Sequence, residues 1–181
     1  MQLSETRMSA WLLGRGACGD GAVWAGYKTL GEAWSTCPRP DWLLWALNEC
    51  RLIDPIKDRR FACRCVRAVW HLLTDQHSRN AVEVTELFCD GKATQGELDA
   101  AELAAWRALW RVGGGNRNVS RNAANAAWGA ICGAGSSARY AAWAVAGGED
   151  GDFAAWEAAS KVQADALREI YGDPFATKQD T

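Results

Sequence analysis

Apolar residues recur at three-and-four spacing through most of the chain, and breaker residues divide that pattern into about nine helical segments with no convincing strand. Residues 57–73 are the clearest case. Phe61, Cys65, Ala68, Val69, Leu72 and Leu73 fall on one face, while Arg60, Arg64 and Arg67 fall mainly on the other. Thr74-Asp75 ends that helix, and Asp75 can cap the next one, which runs to about Cys89 with Ala81, Val84, Thr85 and Phe88 inward. Thr94-Gln95-Gly96-Glu97 has the spacing of a capping box, so a helix is predicted from 95 to about 111, stopped by Gly113-Gly114-Gly115.

The amino-terminal third is more broken. Residues 5–13 are weakly helical, Gly14, Gly16, Gly19 and Gly21 predict a loop, and one helix is expected near 22–35. Pro38 and Pro40 forbid its continuation. Asp41 can cap a following helix in which Trp42 and Trp45 share a face, and Asp54-Pro55 is a further break. Beyond the triple glycine, helices are expected near 118–132, 136–146 and 151–171, the last stopped by Gly172-Asp173-Pro174. The expected fold is all-α: an irregular multi-helix bundle or short array of about eight to nine helices. Residues 1–175 form one domain and 176–181 a frayed tail.

Four Ala-Ala-Trp tripeptides end at Trp106, Trp128, Trp143 and Trp156. Their spacings of 22, 15 and 13 residues are too irregular for a solenoid repeat. Alanine lets helices approach and a lone indole can fill the gap, so Trp128, Trp143 and Trp156 are expected to be mainly buried where helices meet.

Composition narrows the class. Of 181 residues 49% are hydrophobic, enough for a folded core, yet the apolar windows at 41–47 and 61–73 are too short or too charged to cross a bilayer. The start, Met1 to Glu5, lacks the basic and apolar run of a signal peptide. Seven cysteines, an odd number, then suggest a reducing cytoplasm and free, mostly buried thiols. The net charge of −2 hides strong segmentation. Residues 51–79 carry seven basic and three acidic groups, 80–103 carry one and six, 104–147 carry five arginines and no acid, and 148–181 carry three and eight. Such blocks can fold against one another and cancel. If the arginine block stays on the surface, it offers a positive face to an acidic partner or a phosphate.

Candidate chemistry is sparse. Cys63 and Cys65 with His71 and His77 invite a zinc reading, but residues two apart on a helix point about 200° apart and cannot grip one ion. Cys65 belongs on the apolar stripe, and His71, between Trp70 and Leu72, reads as a packing residue. Glu83 and Glu86 share a helical face without the Glu-x-x-His of a di-metal site, which leaves a solvated acidic face. No catalytic residue, metal or cofactor is assigned. The most suggestive polar stretch is Arg107, Arg111, Gly114, Asn116, Arg117, Asn118 and Arg121, with Arg139 further on. A glycine-rich turn feeding a helix start exposes free amides beside arginines and could hold a nucleotide or another phosphorylated small molecule. It lacks the Gly-Lys-Ser/Thr of a P-loop. Exposed tryptophans beside arginines could stack on single-stranded nucleic acid, but helical register and overall acidity argue against that.

Two stretches are familiar. Ala17-Cys18-Gly19-Asp20-Gly21 and the run from Leu30 through Glu32-Ala33-Trp34 to Asp41-Trp42-Leu43-Leu44-Trp45 resemble the opening of the alanine-rich Imm-five-like immunity proteins, which usually have glycine where Pro40 stands here. Arg60 to Cys63, Val69 to Asp75, Ala81 to Glu83, Asp90 to Thr94 and Leu167 to Phe175 are similar to related bacterial proteins of unassigned function. The matches cover about half the chain. The resemblance implies an all-α protein grouped with toxin-neutralising partners, and relatives in phage genomes extend this to phage–host conflict. The expectation is a cytoplasmic helical protein that neutralises an acidic partner, a toxin or a defence component, by occlusion. Binding a phosphorylated small molecule through the arginine and glycine stretch is the alternative.

Overall fold

The computed structural model describes residues 8–111, 119–132, 134–146 and 151–176; within these, the side chains of residues 8, 109–111, 119–121, 128, 131–132 and 134–136 are not described. Ten α-helices and a 3-10 turn make up the described elements, with no strand among them. They are α1 (Met8–Leu13), α2 (Gly19–Ala25), α3 (Leu30–Thr36), α4 (Pro40–Glu49), α5 (Pro55–Ala68), the turn Trp70–Leu72, α6 (Gln76–Cys89), α7 (Gln95–Arg111), α8 (Val119–Cys132), α9 (Ala134–Val145) and α10 (Phe153–Tyr171). Among the described residues no helix is long and apolar enough to cross a membrane.

Local chemistry sets most helix starts. The Asp54 carboxylate accepts from the Ile56 and Lys57 amides, with Pro55 at the first helical position, so α5 begins two residues ahead of the expected 57. Asp75 accepts from the Ser78 amide, and Thr94 and Glu97 close their capping box in both directions. The helix expected at 22–35 is two helices. Gly26 turns the chain at φ +50°, and a second capping box, Thr29 with Glu32, starts α3. Gly19 and Gly21, expected in a loop, lie inside α2.

Helix α5 is the hub, packing against α6, α8, α9 and α10. Phe61, Ala62 and Val66 are fully buried there, with Leu47 from α4, Val82 from α6 and Leu167 from α10 in the same core. Two smaller clusters lie beside it. One joins α6 and α7 through Ala81, Leu98, Ala101 and Ala105, and the other joins α1 and α2 through Leu12, Ala22 and Ala25.

Of the indoles expected to be mainly buried, Trp143 and Trp156 are partly covered, and the alanines of α8 and α9 sit deeper than either. Ala126, Ala127, Ala130, Ala138, Ala141 and Ala142 are among the buried residues of α8 and α9. Trp143 and Trp156 are only half-buried and Trp106 is 44% exposed, while the Trp128 side chain lies outside the described residues. The reason is distance. A Cβ built on Gly129 would lie 2.9 Å from the Ser137 amide nitrogen, and the Ser137 hydroxyl donates to the Ala126 carbonyl across the same seam at 2.6 Å. Backbones that close leave room for alanine and push indoles to the rim.

Opposite charge blocks meet as the sequence allowed. Arg60 pairs with Asp90, Arg67 with Glu86 and Arg64 with Glu169, so part of the basic face of α5 is matched by α6, its C-cap residue and α10. These pairs are largely exposed and set register more than stability. Cys63 donates to the Val82 carbonyl, and burial pushes its thiol up to about 12. Cys65 is buried beside it, raised by the same cause. His71 is exposed rather than packed, because α5 stops at Ala68 and the 3-10 turn carries residue 71 off the helical stripe. Glu83 is exposed and Glu86 is occupied by Arg67.

Candidate functional site

Helices α1 to α4 do not close on themselves. They surround a cavity of about 440 Å³, with Phe175 from beyond α10 completing the wall. Four indoles line it: Trp24 from α2, Trp34 from α3, and Trp42 and Trp45 from α4. Pro40 at the first turn of α4 positions Trp42 and Trp45 three residues apart on one face. Gly21 lies beneath them: a Cβ there would sit 3.3 Å from the Cys18 sulfur and in ordinary contact with the Trp42 ring at 3.5 Å.

Each indole is held by a neighbour. Trp34 donates its ring N–H to the Gly172 carbonyl at 2.9 Å and meets Phe175 edge-on at 5.6 Å between centroids. Trp45 meets Trp11 edge-on at 6.4 Å, and Trp24 and Trp42 lie 5.8 Å apart at 50°. From α10, Arg168 donates to the carbonyls of Trp34 and Cys37 at 3.0 and 2.8 Å, satisfying the open end of α3. Tyr171 ties α10 to α5 by donating to Asp58 at 2.7 Å, where burial raises the Asp58 carboxyl above the usual range. Replacing Arg168 with methionine keeps the stem but orphans two carbonyls. The expected cost is about 2 kcal/mol, a fall of roughly 4–8 °C in Tm by calorimetry. A shift under about 2 °C would mean that the clamp is not what holds α3.

The polar groups at the cavity are few and already engaged. Arg39 makes a two-pronged bond to Asp41 at 2.9 and 2.6 Å, which raises the guanidinium further. Cys37 donates to the Arg39 carbonyl, and burial pushes its thiol up to about 11. Cys18, exposed and at the start of α2, accepts from the Gly21 amide.

The same arginine continues the aromatic surface outward. The Arg39 guanidinium lies 4.8 Å from both the Trp42 and the Trp156 ring centroids. Trp156 stacks on Phe153 at 5.6 Å and 21°, while Lys28 covers Trp24 at 4.5 Å. Lys28, Trp24, Trp42, Arg39, Trp156 and Phe153 therefore form one ladder of cations and rings. Its flanks are apolar and open, with Phe153 at 65%, Tyr27 at 79% and Val23 at 82% exposure.

No family model matches the chain, and neither a curated protein nor a solved structure is significantly similar to it. The site is therefore read from its own geometry.

Of the arginine and glycine stretch singled out in the sequence, the described side chains of Arg107 and Arg139 do not line this cavity. Arg107 is exposed on α7, and Arg139 is exposed on α9 over the rings of Tyr140 and Trp143 at 5.3 and 5.2 Å. Arg111 and Arg121 belong to α7 and α8, but their side chains, together with all of Gly114, Asn116, Arg117 and Asn118, lie outside the described residues. The cavity carried its own signal: four of the eleven tryptophans fall between residues 24 and 45. Among the described residues the lining offers ring faces, two thiols and one ion pair made within itself.

Proposed function

We propose that the protein is a cytoplasmic binding protein that neutralises an acidic macromolecular partner, a toxin or a defence component, by covering its working surface. The observation that carries this reading is the open ladder from Lys28 to Phe153 with Tyr27 and Val23 beside it. Tryptophan, tyrosine and arginine dominate the binding energy of protein interfaces, and here they are already ordered by stacking, so little side-chain freedom is lost on contact. Cations laid over the rings, Arg15 on Trp11 and Lys28 on Trp24, favour a partner surface of negative sign. The resemblance of 17–21 and 30–45 to immunity proteins supports neutralisation as the outcome.

The test is affinity capture from a bacterial lysate with three variants beside the wild type. Phe153→Asp and Tyr27→Asp place a negative charge on the ladder's flanks, and Leu103→Asp places one on the exposed side of α7 as control. A protein recovered in stoichiometric amount by the wild type and the control, and lost from both flank variants, is the expected result. Equal recovery by all four, or none by the wild type, overturns the reading.

A further inference from the structure

We propose that the cavity between α1 and α4 is a binding site for an uncharged, flat aromatic small molecule, an occupant distinct from the protein partner of the outer ladder, although Trp24, Trp42 and Arg39 belong to both the ladder and the lining. Its volume of about 440 Å³ lies within the range of small-molecule sites. An apolar space of this kind normally collapses unless its walls are fixed, and these walls are fixed. Trp34 is pinned by the Gly172 carbonyl and Phe175, Trp45 by Trp11, and Trp24 and Trp42 by each other. Rigid apolar cavities hold apolar molecules in preference to water, because water would find too few polar partners.

The chemistry of the lining selects the class. Ring faces and edges set at 50° to 82° accept a flat ring by offset or edge-on stacking. A charged ligand gains little there. Arg39 and Asp41 neutralise each other through two bonds, and Arg39 and Lys28 already occupy faces of Trp42 and Trp24 that a cation would seek. An ion would enter a mostly indole-lined space where the one ion pair of the lining, Arg39 with Asp41, is already made. Cys18, exposed and on the lining, reports occupancy because a bound molecule shields its thiol; it is the exposed cysteine among the described residues.

The experiment titrates the full chain with N-phenyl-1-naphthylamine, whose emission rises in apolar surroundings, and with its sulfonated analogue 1-anilinonaphthalene-8-sulfonate. Saturable binding of one uncharged probe per chain is expected, with quenching of tryptophan emission and at least about tenfold weaker binding of the sulfonate. Ala33→Trp and Ala46→Trp, which fill the space from α3 and α4, should weaken the uncharged probe by about tenfold or more while far-UV dichroism stays that of the wild type. The probe should also slow alkylation of Cys18 by iodoacetamide, mapped by peptide mass spectrometry, and this arm decides the matter if neither filled variant folds. Equal or tighter binding of the sulfonate overturns the uncharged class. Unchanged probe affinity in both folded variants, or unchanged Cys18 alkylation at saturation, overturns the location. Partner capture is read independently, so either proposal can fail alone.

Discussion

Gly129→Val is expected to lower stability by about 3 kcal/mol, near the top of the range for overpacked interiors. Valine is a somewhat better helix former than glycine, so propensity alone would stabilise α8 by a few tenths of a kcal/mol. The seam decides the sign. The first side-chain carbon would meet the Ser137 amide nitrogen at 2.9 Å, its hydroxyl at 3.0 Å and its α-carbon at 3.3 Å. Two of those three atoms are backbone, so no rotamer change relieves the clash and α9 must move. Moving it also breaks the buried bond from Ser137 to the Ala126 carbonyl and opens the alanine seam along its length. Urea denaturation with far-UV dichroism measures the loss. A midpoint equal to that of the wild type would show that α8 and α9 do not approach this closely.

Phe61→Ala should cost about 3–5 kcal/mol, a large share of the 5–15 kcal/mol of a typical domain. The ring is fully buried on α5, the helix that four others pack against, so the hole it leaves has no single neighbour able to fill it. Trp143→Ala, by contrast, should cost less than about 2 kcal/mol, since a half-buried indole at the rim leaves a notch open to water rather than an internal void. The two are compared by urea midpoints at matched protein concentration. If the tryptophan variant loses more than the phenylalanine variant, then the indoles rather than α5 hold this fold together.

The capping box of Thr94 and Glu97 was legible because all its atoms lie within four residues. The equivalent box of Thr29 and Glu32 is equally local, but the apolar continuity of 22–35 masks both it and the break at Gly26. Periodicity measures which residues can share a face; it does not register a sharp turn between two short helices.

By itself the amino-acid sequence determined the all-helical class, the apolar stripe of α5, and most helix ends, since caps, prolines and glycines act on bonds within one turn of themselves. Tertiary structure decided how deeply the alanines of α8 and α9 are buried, because that depends on how closely two backbones approach, and the Gly129–Ser137 contact sets that approach. It also decided where the cavity lies. Trp34 is held by a carbonyl 138 residues away and Arg168 reaches back 131 residues to Cys37, so the site exists only once α10 has docked on α3. Pairings of that range leave no trace in spacing, because spacing records neighbours along the chain and the cavity is built from neighbours in space.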